Sequence, residues 1–385
     1  MGKTRSRQAV FDYGTGHEHP DAGSFQIFSH GQFLAIDPLY TGYKLSADHN
    51  TMLFKGHGQL GEQAGFGSVE ALRFGHYPEI LHARSERGYD LVVGDVTHAY
   101  HPALGLKRFL RHLLFVKPDI LLVADEVTLD EHGIVHDYPP AVLRTAGKLS
   151  HASNDYVVGP EGEAFLEFEG EPGSYRLSVV YLDNVPEAGE YSFEVDGRTV
   201  HRWKSHNQDV DDHLIAVSPP VTVKRGSRVA FRGAPMAPGC RIVKMSVFSD
   251  EVVVPLKAEW LLHLDPRAAL RQVGERLEAT LGDAALDVHR LAPAGGRSTF
   301  GLHDVAKPEV EPFTFRKTLR IVYEPPWTGH DVGILTMLAS RGAGSPALEE
   351  VQGTLEGRSV RASWSRDGVH SRLDWNLETR EVTLR

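Results

Sequence analysis

Strand-length apolar runs, each closed by a Gly, Pro, Asn or Asp turn, recur along almost the whole chain, and this repetition constrains the fold more than any other feature. SFQIFS at 24–29 and QFLAID at 32–37 flank His30-Gly31, an x-Gly pair of the kind that closes a two-residue hairpin. TMLF, DLVVGDVTHAY, KRFLRHLLFV and DILLVADEVTL follow, with Lys117-Pro118-Asp119 supplying a turn between the last two. Some of these runs alternate and others are continuously apolar, as expected of inner strands covered on both faces. The expected fold class is therefore all-β, a large antiparallel β-sandwich.

Around 139–160 the composition changes, beginning at Pro139-Pro140 and passing through HASND. FLEFEG, YRLSVVYLD, YSFEVDG, RTVHRW, HLIAVSPPVTV, RVAFRG and RIVKMSVF then read as a second, smaller β-sandwich of jelly-roll type. Material like that of the first sandwich resumes at Glu259-Trp260. The expected organisation is a first part over 1–138, an inserted sandwich over 160–250 and the remainder of the first sandwich over 257–385. One helix is expected after Asp265-Pro266, with Asp265 as N-cap, Leu270, Val273, Leu277 and Leu281 at helical spacing, and Gly282 as the stop. No internal repeat or low-complexity tract is visible.

Composition narrows the function classes. With 51 acidic against 41 basic side chains in 385 residues the formal charge is −10, which argues against a nucleic-acid partner. No apolar run approaches the length of a membrane-spanning helix, so no membrane association is expected. A single cysteine, Cys240, excludes an internal disulfide framework and thiolate metal clusters. The 21 histidines direct a metal search to His/Asp sites. The opening MGKTRSRQAV is basic and polar with no apolar stretch behind it, unlike a signal peptide. A chemistry-rich motif starting by His17 suggests the C-terminal part of a larger ancestral architecture, or one subunit of a split enzyme.

That motif is GHEHPDAGSFQI at 16–27. His17 and His19, at i and i+2 on an extended backbone, point to one face. If His30-Gly31 closes the hairpin, Ser29 faces Gln32, Phe25 faces Ile36 and Ser24 faces Asp37. Asp37 then sits at the open end from which His17 and His19 arrive, and Asp48-His49-Asn50-Thr51 can return to the same end. Two imidazoles and a carboxylate there suit a three-ligand Zn2+ site. The bland alternatives are a polar strand end for Asp37 and a turn-capping role for His49. His82, His98, His101 and His136 lack such support and read as surface or satisfied core residues.

HEHPDAGSFQIF, GQFLAIDPLY and DHNTMLFKGHGQ together resemble the β-domain of the heparinase II/III-like polysaccharide lyases, which include heparinase II, heparinase III and the oligoalginate lyases. YDLVVGDVTHAY, LKRFLRHLLFVKPDILLVADEV and EWLLH agree, so the resemblance covers 10–130 strongly and 257–385 loosely. It implies that His19, Asp37 and His49 hold zinc, that His17 faces the substrate near the catalytic centre, and that Tyr43, rather than Tyr40, contacts sugar. It also implies β-elimination on a uronic-acid polysaccharide of heparin, heparan sulfate or alginate type, and a periplasmic or secreted location. Family members carry an N-terminal α/α toroid with the principal acid and base; this chain has no such region, so a separate toroid chain or domain is an expected partner beside the acidic polysaccharide or oligosaccharide. Alternatives are a non-catalytic carbohydrate-binding protein on the same zinc-bound scaffold, and a cupin-type metal enzyme, although Gly23 and Ser24 stand where a cupin expects glutamate. Trp203 and Tyr181 are read as sugar-stacking platforms or core aromatics. Arg84, Arg87, Arg108 and Arg111 could meet an anionic polymer, or be ordinary solvated strand charge.

Overall fold

The computed structural model describes residues 19–38, 41, 44–60, 62, 78–153, 156–182, 189–204, 213–233, 241–306 and 315–385. Among them the regular elements are β-strands and short 3-10 turns, arranged in antiparallel sheets of six, seven, five, eight and four strands. The six-stranded sheet runs Ile27–Ser29, Gln32–Ala35, Ala258–Leu264, Lys317–Glu324, Arg297–Asp304, with Met52–Phe54 also paired to Ala258–Leu264. It packs on an eight-stranded sheet whose central strands are Asp331–Gly342, Ile120–Leu129 and Leu106–Val116, around Phe54, Phe109, Trp260, Leu286 and Ile321.

The central strands of the eight-stranded sheet are covered on both faces, which is why they read as nearly continuous apolar runs. Its other face buries Leu114, Leu122 and Met337 against Trp364 and Trp375 of the four-stranded C-terminal sheet. The seven- and five-stranded sheets enclose a core of their own, drawn wholly from residues 143–247. The chain leaves for this core after Ile120–Leu129 and returns at Ala258–Leu264, so the six- and eight-stranded sheets are each built from both sides of the interruption.

The expected helix is not formed. Residues 269–281 make a hairpin, Ala269–Val273 with Arg276–Leu281, closed by Gly274-Glu275 with Gly274 at φ 63°. Leu277, Ala279 and Leu281 alternate into the core, and Arg276–Leu281 pairs onward with Ala284–Ala292. That long-range pairing overrides the local helical spacing. Asp265 does cap, but it caps a turn: its Oδ1 accepts the Arg267 N–H at 2.8 Å.

Candidate metal centre

The His30-Gly31 turn forms as the sequence requires, both residues at positive φ (50° and 75°), and Ser29 pairs with Gln32. A bulge between Ile27 and Phe28 then shifts the register, setting Ile27 opposite Ala35. The expected Phe25–Ile36 and Ser24–Asp37 alignments are therefore displaced by one residue, although Asp37 still lies at the open end of the hairpin.

There it meets the two histidines. One candidate ligand atom from each of His19, Asp37 and His49 lies within 4.8 Å of the others. His49 Nδ1 is 2.8 Å from Asp37 Oδ2, and the His19 and His49 rings stand edge to face at 5.1 Å. His49 is fully buried, and Asp37 and His19 are partly buried. Burial lowers the His19 pKa to about 4, helped by the neighbouring His49, so the imidazole is neutral at pH 7. Burial alone would depress His49 too, but the hydrogen bond and charge of Asp37 outweigh it and leave its pKa raised. Asp21, also desolvated, has its pKa raised and lies close enough to feel both His49 and Asp37.

His17, Tyr40 and Tyr43 lie outside the described residues. Of the other candidates, Arg108 is paired to Glu126 at 2.7 Å, and Arg84 lies against Glu86 and over the Tyr89 ring. Arg111 is not a surface contact. It is buried in a two-pronged pair with Asp125 (2.8 and 2.9 Å), and its Nη1 donates to Gly23 O and Asn50 O.

Several residues that hold the ligands were invisible as site residues in the sequence. Asn50 Nδ2 donates to Phe25 O (2.7 Å) and Ile36 O (3.0 Å), and its Oδ1 accepts the His263 N–H (2.6 Å). Gln59 brackets Ala22, accepting its N–H and donating to its carbonyl, each at 2.9 Å. Ser46 Oγ donates to Pro20 O, and Thr51 Oγ1 to Ala22 O. Asp48 Oδ1 accepts from His303 Nε2 at 2.6 Å, fastening the His49 turn to the edge strand Arg297–Asp304. The usable signals were an arginine at an inward position of an apolar strand and a polar Asn-Thr pair directly after His49.

Two imidazoles and a carboxylate are the donor set of a three-protein-ligand zinc site. The buried Nε2 of His49 has no hydrogen-bond partner among the described residues, as a ligand set built for a cation would leave it. The residues therefore fit a divalent zinc.

In the inserted module Tyr181 is a core aromatic, and Trp203 lies half-buried against that core. Tyr181 is fully buried, Trp203 Nε1 donates to Tyr181 Oη at 2.9 Å, and Trp203 packs among Tyr191, Phe193 and Phe231.

No family model matches the sequence. Among solved structures, the heparan sulfate lyase HepC from Pedobacter heparinus is similar at 10% identity and a TM-score of 0.48, over 93% of this chain and 37% of its own. A heparinase III is similar at 8% identity and a TM-score of 0.47, over 94% and 36%. A family 35 carbohydrate-binding module from Clostridium thermocellum matches 30% of this chain and 99% of its own, at 13% identity and a TM-score of 0.25. This chain thus spans little more than a third of the length of the lyases it is similar to.

Proposed function

We propose that this chain is the zinc-bearing β-sandwich part of a polysaccharide lyase that acts on uronic-acid polysaccharide. The observation that carries the reading is the meeting of His19, Asp37 and His49, from three separate segments, in a partly buried cluster whose donors suit zinc. When bound, the metal would cross-link those segments as a structural ion and fix the chain entering from His17. β-Elimination needs the uronate carboxylate neutralised, the C5 proton removed and the leaving oxygen protonated. His17, two residues from a proposed ligand, is proposed to exchange a proton at the substrate, with Tyr43 contacting the sugar beside it.

No α-helix occurs among the described residues, and the family resemblance assigns the principal acid and base to a helical toroid. The proposal therefore includes a toroid partner, in the same protein or another, and a periplasmic or secreted setting. A purely carbohydrate-binding role is the second reading, favoured by the same absence of an α-helix among the described residues. The test is formation of the unsaturated uronate product on alginate and heparan sulfate. Little turnover is expected from this chain alone, and activity restored by a toroid partner should fall in His17→Ala. Strong turnover by the isolated chain would contradict the division of labour, and no activity with any toroid partner would favour the binding role.

A further inference from the structure

Arg320, on the strand Lys317–Glu324, pairs with His263 on one side and Gly301 on the other, so the three share one face of the six-stranded sheet. His303 and Thr318, paired one step along, belong to that face too. The His49 turn crosses it: Arg320 Nη1 donates to Ala47 O at 3.3 Å, and His303 Nε2 to Asp48 Oδ1 at 2.6 Å. The buried His263 ring stands edge to face with His303 at 5.5 Å, and Arg320 is its cross-strand partner.

The arginine is short of partners. Burial lowers its pKa, and the carboxylates that oppose this, Glu259 and Asp48, are engaged elsewhere. Glu259 pairs with Lys257, while Asp48 accepts from His303 and from the Ala306 N–H at 3.2 Å. Among the described residues Arg320 makes no ion pair and only the hydrogen bond to Ala47 O. Beside it the sheet is open, since a Cβ on Gly301 would meet nothing within 4 Å. A half-desolvated guanidinium whose Nε and Nη2 have no hydrogen-bond partner among the described residues, on a sheet face with a gap at Gly301, matches a carboxylate, which can accept two parallel N–H bonds.

We infer that Arg320, flanked by His303 and the gap at Gly301, is a binding subsite for a carboxylate, on the same sheet face as the His49 turn. That the natural carboxylate is a uronate rests on the saccharide reading above; the subsite itself does not.

The test is an NMR titration of the full chain, following the Arg320 Nε–H and the Gly301 amide. The probes are acetate, glucuronate, glucose and inorganic sulfate at constant ionic strength. Acetate and glucuronate should shift both signals saturably, glucuronate at lower concentration, and glucose should shift neither. Arg320→Gln should raise the apparent Kd about tenfold or more. Arg320→Lys, which keeps the charge without the fork, should recover only part of the binding. Gly301→Leu fills the gap without altering the arginine, should weaken binding likewise, and decides the matter if Arg320→Gln does not fold. Unchanged affinity in these variants, an equal response to glucose, or sulfate binding tighter than both carboxylates would overturn the assignment. Equal affinity for acetate and glucuronate would leave the subsite standing and count against the uronate reading alone.

Discussion

Asn50 commits its whole side-chain amide to three separate segments: Phe25 O, Ile36 O and the His263 N–H. Ile36 precedes Asp37 and Asn50 follows His49, so one amide sets the spacing of two proposed ligands. Asn50→Ala would leave these buried groups unpaired at about 1–3 kcal/mol each, less when summed because the site relaxes. We expect a loss of roughly 3 kcal/mol in denaturant titration, accompanied by weaker zinc retention. A variant as stable as wild type would show that these bonds do not hold the site. Arg111 acts one shell further out. Arg111→Ala strands the buried Asp125 carboxylate and should cost about 3–5 kcal/mol, whereas Arg111→Met with Asp125→Leu should cost distinctly less. Equal losses would mean that the backbone contacts to Gly23 and Asn50 dominate. His19, Asp37 and His49 could be picked out because their residue types suit a metal and the family resemblance singles them out, and the fold brings the three together. Asn50, Gln59 and Arg111 were not legible because their role lies in which distant carbonyls they reach, and that exists only after folding.

At the level of elements, strand-length runs and turn residues sufficed to read the all-β antiparallel class, but not the separate four-stranded C-terminal layer that covers the second face of the eight-stranded sheet. The failures share one cause. The 265–282 segment has helical spacing on its own, and only pairing with Ala284–Ala292 makes it a hairpin. The bulge at Ile27/Phe28 leaves no mark in composition, yet it displaces the hairpin register by one residue. In the inserted module, Trp203 and Tyr181 could be read either way; burial decides for the core at Tyr181, while Trp203 is half-buried on an edge strand. Tyr181→Phe removes the acceptor of the Trp203 indole N–H and should cost about 1 kcal/mol in urea unfolding. It should leave saccharide affinity unchanged; a selective loss of binding with intact stability would return the pair to the role of a sugar platform.

Across the whole molecule, the core of 143–247 meets the rest through a polar joint. Asp137 pairs with His57 at 2.9 Å and Lys244 at 3.4 Å, and His101 stacks on Phe248 at 4.7 Å while its Nδ1 accepts the Ala103 N–H. Burial, with a smaller push from Lys244, lowers the His101 pKa to about 3, against 6.5 when exposed. The unfolded chain therefore binds the extra proton first, so this contribution is complete above pH 6.5 and is lost as pH falls toward 3. Asp137 follows at lower pH: its burial is outweighed by Lys244 and His57, its pKa is depressed, and its stabilisation is lost as pH falls below the ordinary value of 3.8. His101→Asn, which keeps an acceptor for Ala103, should flatten the stability profile between pH 6.5 and 3; an unchanged slope would assign acid sensitivity to other groups. The function proposed for this chain depends on a metal held by the triad, and elemental analysis of the purified protein measures that metal. The wild type should carry about one zinc per chain, His19→Ala and Asp37→Ala little, and the control His370→Ala, at an exposed histidine far from the triad in sequence, a full complement. Equal zinc in the wild type and both ligand variants would contradict the triad as the metal site.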